Sequence, residues 1–91
     1  MQYISDITDD TISVSPYSHF TTHQAIELAN QLPEFGHITR VNLNNHDIED
    51  EGAIALAKVR QIKYLDLTAN LIGNKGAQAL ARNNTIKELY R

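Results

Sequence analysis

Residues 62–81 read IKYLDLTANLIGNKGAQALA, and the order of apolar and turn residues in this stretch decides the fold. Leu65 and Leu67 alternate with polar neighbours, as in a strand that buries one face. Asn70 marks a turn, and Gly76, Ala77, Leu80 and Ala81 then recur at the spacing of one helix face. The segment therefore reads as a short strand, an asparagine turn and a helix running back antiparallel to the strand. Two other segments superpose on it. Ile38, Ile62 and Ile86 open successive copies at a fixed period of 24 residues, and self-similarity at such a period is the signature of a solenoid.

The positions Ile62, Leu65, Leu67, Asn70, Ile72, Gly76, Ala77, Leu80 and Ala81 fit L-x-x-L-x-L-x-x-N-x-L-x-x-x-G-A-x-x-L-A. The pattern resembles a leucine-rich repeat of the ribonuclease-inhibitor type, over about residues 20–91. The resemblance implies an α/β solenoid of right-handed β-α units, with a parallel sheet on the concave face and helices on the convex face. It also implies a non-catalytic protein-binding module with no cofactor. The absence of Cys and the irregular first unit look more like the short bacterial, effector-like form. Zero Cys fits a reducing compartment, so the cytoplasm is the expected location, and the short bacterial form adds delivery into a host cell without a classical signal peptide as an alternative.

Working outward, residues 38–61 and 62–85 make two repeats, and residues 86–91 repeat the strand alone. Residues 18–37 read as a degenerate first repeat, with a helix from Thr21 to about Leu32. Thr21 and Gln24 fit a capping box, Ala25, Leu28, Ala29 and Leu32 form the buried stripe, and Glu27, Asn30 and Gln31 face water. Pro33 and Gly36 end that helix. The second helix spans about Asp50 to Val59, behind an acidic run of Asp47, Glu49, Asp50 and Glu51 that suits a helix start. His46 stands where the next unit has Asn70, which predicts a looser turn. In residues 1–17, Ile12 and Val14 alternate with Thr11, Ser13 and Ser15, and a turn at Thr8–Thr11 folds Gln2–Ile7 back as a hairpin that covers the first edge of the sheet.

The whole is one 91-residue domain with an ordinary 42% hydrophobic and 21% charged content, which argues against wholesale disorder. No apolar run approaches the ~18 residues of a membrane span, and the acidic N-terminus is unlike a signal peptide. The net charge of −3 conceals a gradient. Residues 1–51 hold nine acids and one base, Arg40, a balance of −8, whereas residues 52–91 hold two acids and seven bases, a balance of +5. Because sequence order is spatial order in a solenoid, one end of the stack is acidic and the other basic. A mixed solvated surface and head-to-tail attraction between copies both fit this gradient.

Two surfaces follow from the repeat. Position three of successive strands gives Thr11, Arg40, Tyr64 and Glu88, and position five gives Ser13, Asn42, Asp66 and Tyr90. With strands about 4.8 Å apart, Arg40 lies over Tyr64, and Tyr64 reaches Glu88. Arg40, Asn42, Tyr64, Asp66, Glu88 and Tyr90 are the expected partner contacts, because Tyr and Arg combine large contact area with hydrogen-bonding ends. An ordinary solvated sheet face is the competing reading. The second surface is the terminal strand, where Ile86, Leu89 and Arg91 form an edge after which the sequence holds no further turn or helix. A fragment of a longer repeat protein and a bare edge that pairs with a second copy both account for it.

Catalytic signatures are missing. The sequence has no G-x-x-x-x-G-K-[ST], G-x-G-x-x-G, H-E-x-x-H or G-x-S-x-G. The glycines of residues 71–76 are explained by the turn and by close helix packing. His19 and His23 have metal-ligand spacing, but the cap at Thr21 places His19 outside the helix. Seven cations, Lys58, Arg60, Lys63, Lys75, Arg82, Lys87 and Arg91, are scattered over helix ends and strands without the aromatic interleaving of a nucleic-acid site.

Overall fold

The computed structural model describes residues 4–7, 10–15 and 17–91. In chain order it comprises β1 (Ile4–Ile7), β2 (Thr11–Val14), α1 (Thr22–Gln31), a 3-10 turn (Leu32–Phe35), β3 (Arg40–Asn42), α2 (Asp50–Ala57), β4 (Tyr64–Asp66), α3 (Asn74–Arg82) and β5 (Glu88–Tyr90). The strands form one sheet in sequence order. β1 pairs antiparallel with β2, and β2 through β5 are parallel. Each parallel crossover is made by one helix, and consecutive helices pack side by side. This is the architecture of a leucine-rich repeat solenoid. Thr8 and Asp9 of the expected turn, and Gln2 of the expected first strand, lie outside the described residues.

The sheet sends its central side chains toward the helices. Val41 and Leu65 are buried at the middle of β3 and β4, and Ile38, Ile62, Leu43 and Leu67 flank them in the same core. Burying side chains of this size contributes roughly 1.5–3 kcal/mol each before the entropy of ordering them is counted. Burial fades toward the last strand. Ile62 and Leu65 are fully covered, whereas their counterparts Ile86 and Leu89 are only partly buried and pack at the margin of the core.

The first helix starts as its sequence dictates. Thr21 is extended, and its backbone N–H donates to Gln24 Oε1 at 2.9 Å, which satisfies a donor that the helix start leaves without a partner. Ala25, Leu28, Ala29 and Leu32 are buried. Glu27 and Gln31, expected in water, are half-buried on the flanks of that stripe. Pro33 is absorbed in the 3-10 turn that tightens the helix end, and Gly36 has φ −59, so its left-handed freedom is unused. α2 stops at Ala57 rather than Val59, with Lys58 as its cap, although Val59 is still buried.

The turns after β3 and β4 share one backbone form, contrary to the looser second turn expected from His46. Asn45 (φ 63) and Ala69 (φ 60) both take the left-handed conformation one residue before His46 and Asn70. Asparagine tolerates that region, whereas alanine pays about 1–2 kcal/mol there. Asn70 holds its turn by donating from Nδ2 to the carbonyls of Leu43 and Leu67 and accepting at Oδ1 from the N–H of Ile48. His46 replaces that network differently. It is buried, with its ring 5.5 Å from that of Phe20 and Nε2 3.4 Å from the Val14 carbonyl.

Gly52 and Gly76 set how closely the helices stack. A Cβ at Gly52 would lie 2.7 Å from Ile48 Cγ2 and 3.2 Å from Ala25 Cβ in the preceding helix. At Gly76 it would lie 2.7 Å from Ile72 Cγ2, 2.8 Å from Asp50 Oδ1 and 3.1 Å from Ala53 Cβ. The acidic residue Asp50 does more than serve its own helix. Its Oδ1 accepts from the N–H groups of Gly73 (2.6 Å) and Gly76 (3.1 Å), capping the start of α3 from the start of α2. A cap of this kind contributes about 1 kcal/mol. Thr22 stands in the same relation to α2, accepting at Oγ1 from the Glu49 N–H at 2.7 Å. Replacing Gly76 by Ala is expected to lower stability by about 1–3 kcal/mol through overpacking, read as a lower urea midpoint at constant m-value.

Candidate functional site

The parallel register brings the expected strand-face residues into two rows. Thr11, Arg40, Tyr64 and Glu88 are directly paired across β2 to β5, as are Ser13, Asn42, Asp66 and Tyr90. Alternation of side chains along each strand turns these residues away from the helices, while Val41 and Leu65 between them enter the core. Arg40 and Glu88 are exposed, Tyr64 is half-buried and Tyr90 is 48% exposed.

Within this face three side chains form a continuous run. The Arg40 guanidinium carbon sits 4.2 Å from the centroid of the Tyr64 ring, a cation–π geometry worth about 0.5–1 kcal/mol at an exposed site. The Tyr64 ring lies 5.6 Å from that of Tyr90 at an interplanar angle of 52°, within the range of tilted aromatic pairs. Tyr64 and Glu88 are partners in register, but the ring contact of Tyr64 is with Tyr90, two residues further along β5. The diagonal choice is physical: two aromatic faces gain more from meeting each other than a ring gains from an exposed carboxylate.

Asn42 and Asp66 have a duty that the strand pattern did not reveal. Asn42 Oδ1 accepts from the Asn44 N–H at 3.2 Å, and Asp66 Oδ1 accepts from the Thr68 N–H at 3.0 Å. Both are side-chain turns over two residues, which carry the chain from strand into loop. Their sequence signal was available, since an Asx residue recurs 24 positions apart just before each turn. The edge residues Ile86 and Leu89 are partly buried, and Arg91 lines a shallow recess with Leu67, Asn70 and Ile72 at the open end of the stack.

Other polar clusters resolve into scaffold. Gln61 donates from Nε2 to the carbonyls of Leu32, Phe35 and Ile38, tying the loop after α1 to the start of the next strand. Asn83 donates to the Ala57 carbonyl and accepts from the N–H groups of Thr85 and Ile86. His19 lies outside α1 and His23 is exposed within it. Among the described residues no three His, Asp or Glu side chains converge as metal ligands, and no helix is long and apolar enough to cross a membrane.

The period, the strand–turn–helix unit and the asparagine turn are matched by a family model for the leucine-rich repeat at residues 37–57 and again at residues 61–81. Two segments of the chain are thus similar to the leucine-rich repeat. No curated protein matches it. Leucine-rich repeats generally mediate protein–protein interaction, and stacked repeats of this kind offer extended binding surfaces.

The two kinds of strand-face residue separate by stability. Asp66→Ala removes the acceptor for the Thr68 N–H and is expected to cost about 1 kcal/mol, whereas Arg40→Ala is expected to cost no more than about 0.5–1 kcal/mol. Urea unfolding of the two variants beside the parent measures the difference.

Proposed function

We propose that this chain is a non-catalytic binding module that holds a partner protein against its strand face. The observation that carries the reading is the contiguous run of Arg40, Tyr64 and Tyr90 across three strands. Tyr and Arg are enriched at the energetic centres of interfaces because each combines a broad contact surface with donors at its tip. Side chains that already touch one another lose less entropy on association than free ones. Glu88 adds a carboxylate beside the run and Asn42 and Asp66 flank it. Because the latter two already serve their turns, their share in binding is the smaller. The ribonuclease-inhibitor-like type and the short bacterial form extend the proposal to a cytoplasmic protein, delivered into a host cell. Arg40→Ala and Tyr64→Ala are each expected to weaken partner binding by at least tenfold, about 1.4 kcal/mol, with unchanged circular dichroism. Titration calorimetry checks this, and equal affinity for parent and variants removes the strand face from the proposal.

A second reading is self-association through β5. This strand is hydrogen-bonded to β4 on one side, and Ile86 and Leu89 are only partly buried, so its outer edge offers backbone groups to a second strand. Two copies meeting about a two-fold axis continue the sheet antiparallel. Light scattering across a wide concentration range is expected to show twice the 10.2 kDa chain mass at high concentration. Loss of that species in salt assigns it to the acidic-to-basic gradient, its persistence assigns it to backbone pairing, and a constant 10.2 kDa mass excludes this reading.

A further inference from the structure

The helix face carries a feature that the strand-face reading does not use. Two shallow grooves run between neighbouring helices, one between α1 and α2 and one between α2 and α3. Ile26, Ala29 and Ala55 lie in the first, and Ile54, Ala57 and Ala79 in the second. Ile26 and Ile54 occupy equivalent positions of α1 and α2, and both are half-buried on the outer surface. Lys58 and Arg60 border both grooves and Arg82 borders the second. No carboxylate lines either groove among the described residues. Arg60 donates to the neutral Asn84 Oδ1 at 2.7 Å. A cation near a helix C-terminus is favoured by the helix dipole, which accounts for Lys58 and Arg82. It does not account for two isoleucines only partly covered beside them.

We propose that this face binds an acidic amphipathic helix of a partner protein, laid across both grooves. Packed helices lie 8–10 Å apart, so the two grooves are separated by about that distance. Side chains seven residues apart on one helix face are separated by about 10.5 Å, so two apolar anchors at i and i+7 can enter one groove each. The alanines keep the floors shallow enough for a helix to approach. Carboxylates along one flank of that helix then meet Lys58, Arg60 and Arg82, which fixes its direction across α1 to α3. Such pairs add selection for an acidic partner and a salt-dependent association rate more than raw affinity.

The probe is a synthetic helix of about 18 residues, roughly 27 Å long, with leucines at i, i+3, i+4 and i+7 spacing and glutamates on one flank. A control peptide carries lysine in place of each glutamate. In titrations of the isotope-labelled chain followed by NMR, the acidic peptide is expected to shift the amides of Ile26, Ala55, Lys58 and Ala79, and to bind at least tenfold more tightly than the control. The triple variant Lys58→Glu, Arg60→Glu, Arg82→Glu is expected to reverse that preference. Absence of shifts at millimolar acidic peptide, equal binding of the two peptides, or shifts confined to the strand face would each overturn the proposal. So would capture of the chain by phosphatidylserine vesicles through Lys58 and Arg82 when the peptide does not bind, since that outcome makes the face a membrane surface. Partner binding through Arg40 and Tyr64 is measured separately, so either surface can fail without the other.

Discussion

Consecutive helices stack closely because a glycine in the first turn of each later helix faces the helix before it. At Gly52 and Gly76 there is no room for even a methyl group against Ile48, Ala25, Ile72 and Ala53. The spacing thus imposed on the helices matches the sheet on the other side, where strands are held at their own fixed separation. With both layers in register, a single small residue in each helix, alanine or glycine, faces its neighbour, and the larger leucines fill the space between helix and strand. The core of Val41, Leu65, Leu43 and Leu67 follows from that division of sizes.

Polar side chains make the stack more than a pile of apolar units. Asn70 reaches back to the Leu43 carbonyl, Asp50 reaches forward to Gly73 and Gly76, and Asn83 reaches back to Ala57. Each of these bonds satisfies a backbone group at a turn or helix end that the regular hydrogen-bond ladder cannot serve. No buried side-chain nitrogen or oxygen among the described residues lacks a partner. The polar loops are therefore built from the same repeat as the core, and the strand face is left with few duties apart from the two Asx turns. Residues on a face relieved of structural work are free to serve recognition.

How far the sequence could be read depended on whether a feature repeats. The strand, turn and helix at residues 38–57 and 62–81 are legible because the core positions Ile38, Val41, Leu43, Ile48 and Leu56 recur as Ile62, Leu65, Leu67, Ile72 and Leu80, and so are the two strand-face rows, since register follows from the period. The Arg40–Tyr64 contact came from the same arithmetic. Tyr64 meeting Tyr90 rather than Glu88 was not legible, because a diagonal contact is decided by rotamers and relative ring affinity. His46 misleads for a related reason: a departure from the consensus reads as a weaker turn, whereas its ring finds a place on Phe20 and the backbone keeps the left-handed residue before it. The forward reach of Asp50 was hidden by a sufficient local explanation, a carboxylate at the start of its own helix. The helix-face grooves left no sequence signal beyond two isoleucines at matching positions.

The bond from Asp50 to the start of α3 couples the two helices at their ends. The donors at Gly73 and Gly76 belong to the later helix, but the acceptor is in place only once the earlier helix has formed its first turn. Thr22 and Glu49 repeat the arrangement one step back. Nucleating a lone helix is costly, and an acceptor supplied by the neighbouring helix lowers that cost. The later unit answers at the other end of α2, where Asn83 donates to the Ala57 carbonyl, so each helix holds a partner that the other needs and loosening either one leaves a backbone group of its neighbour unserved.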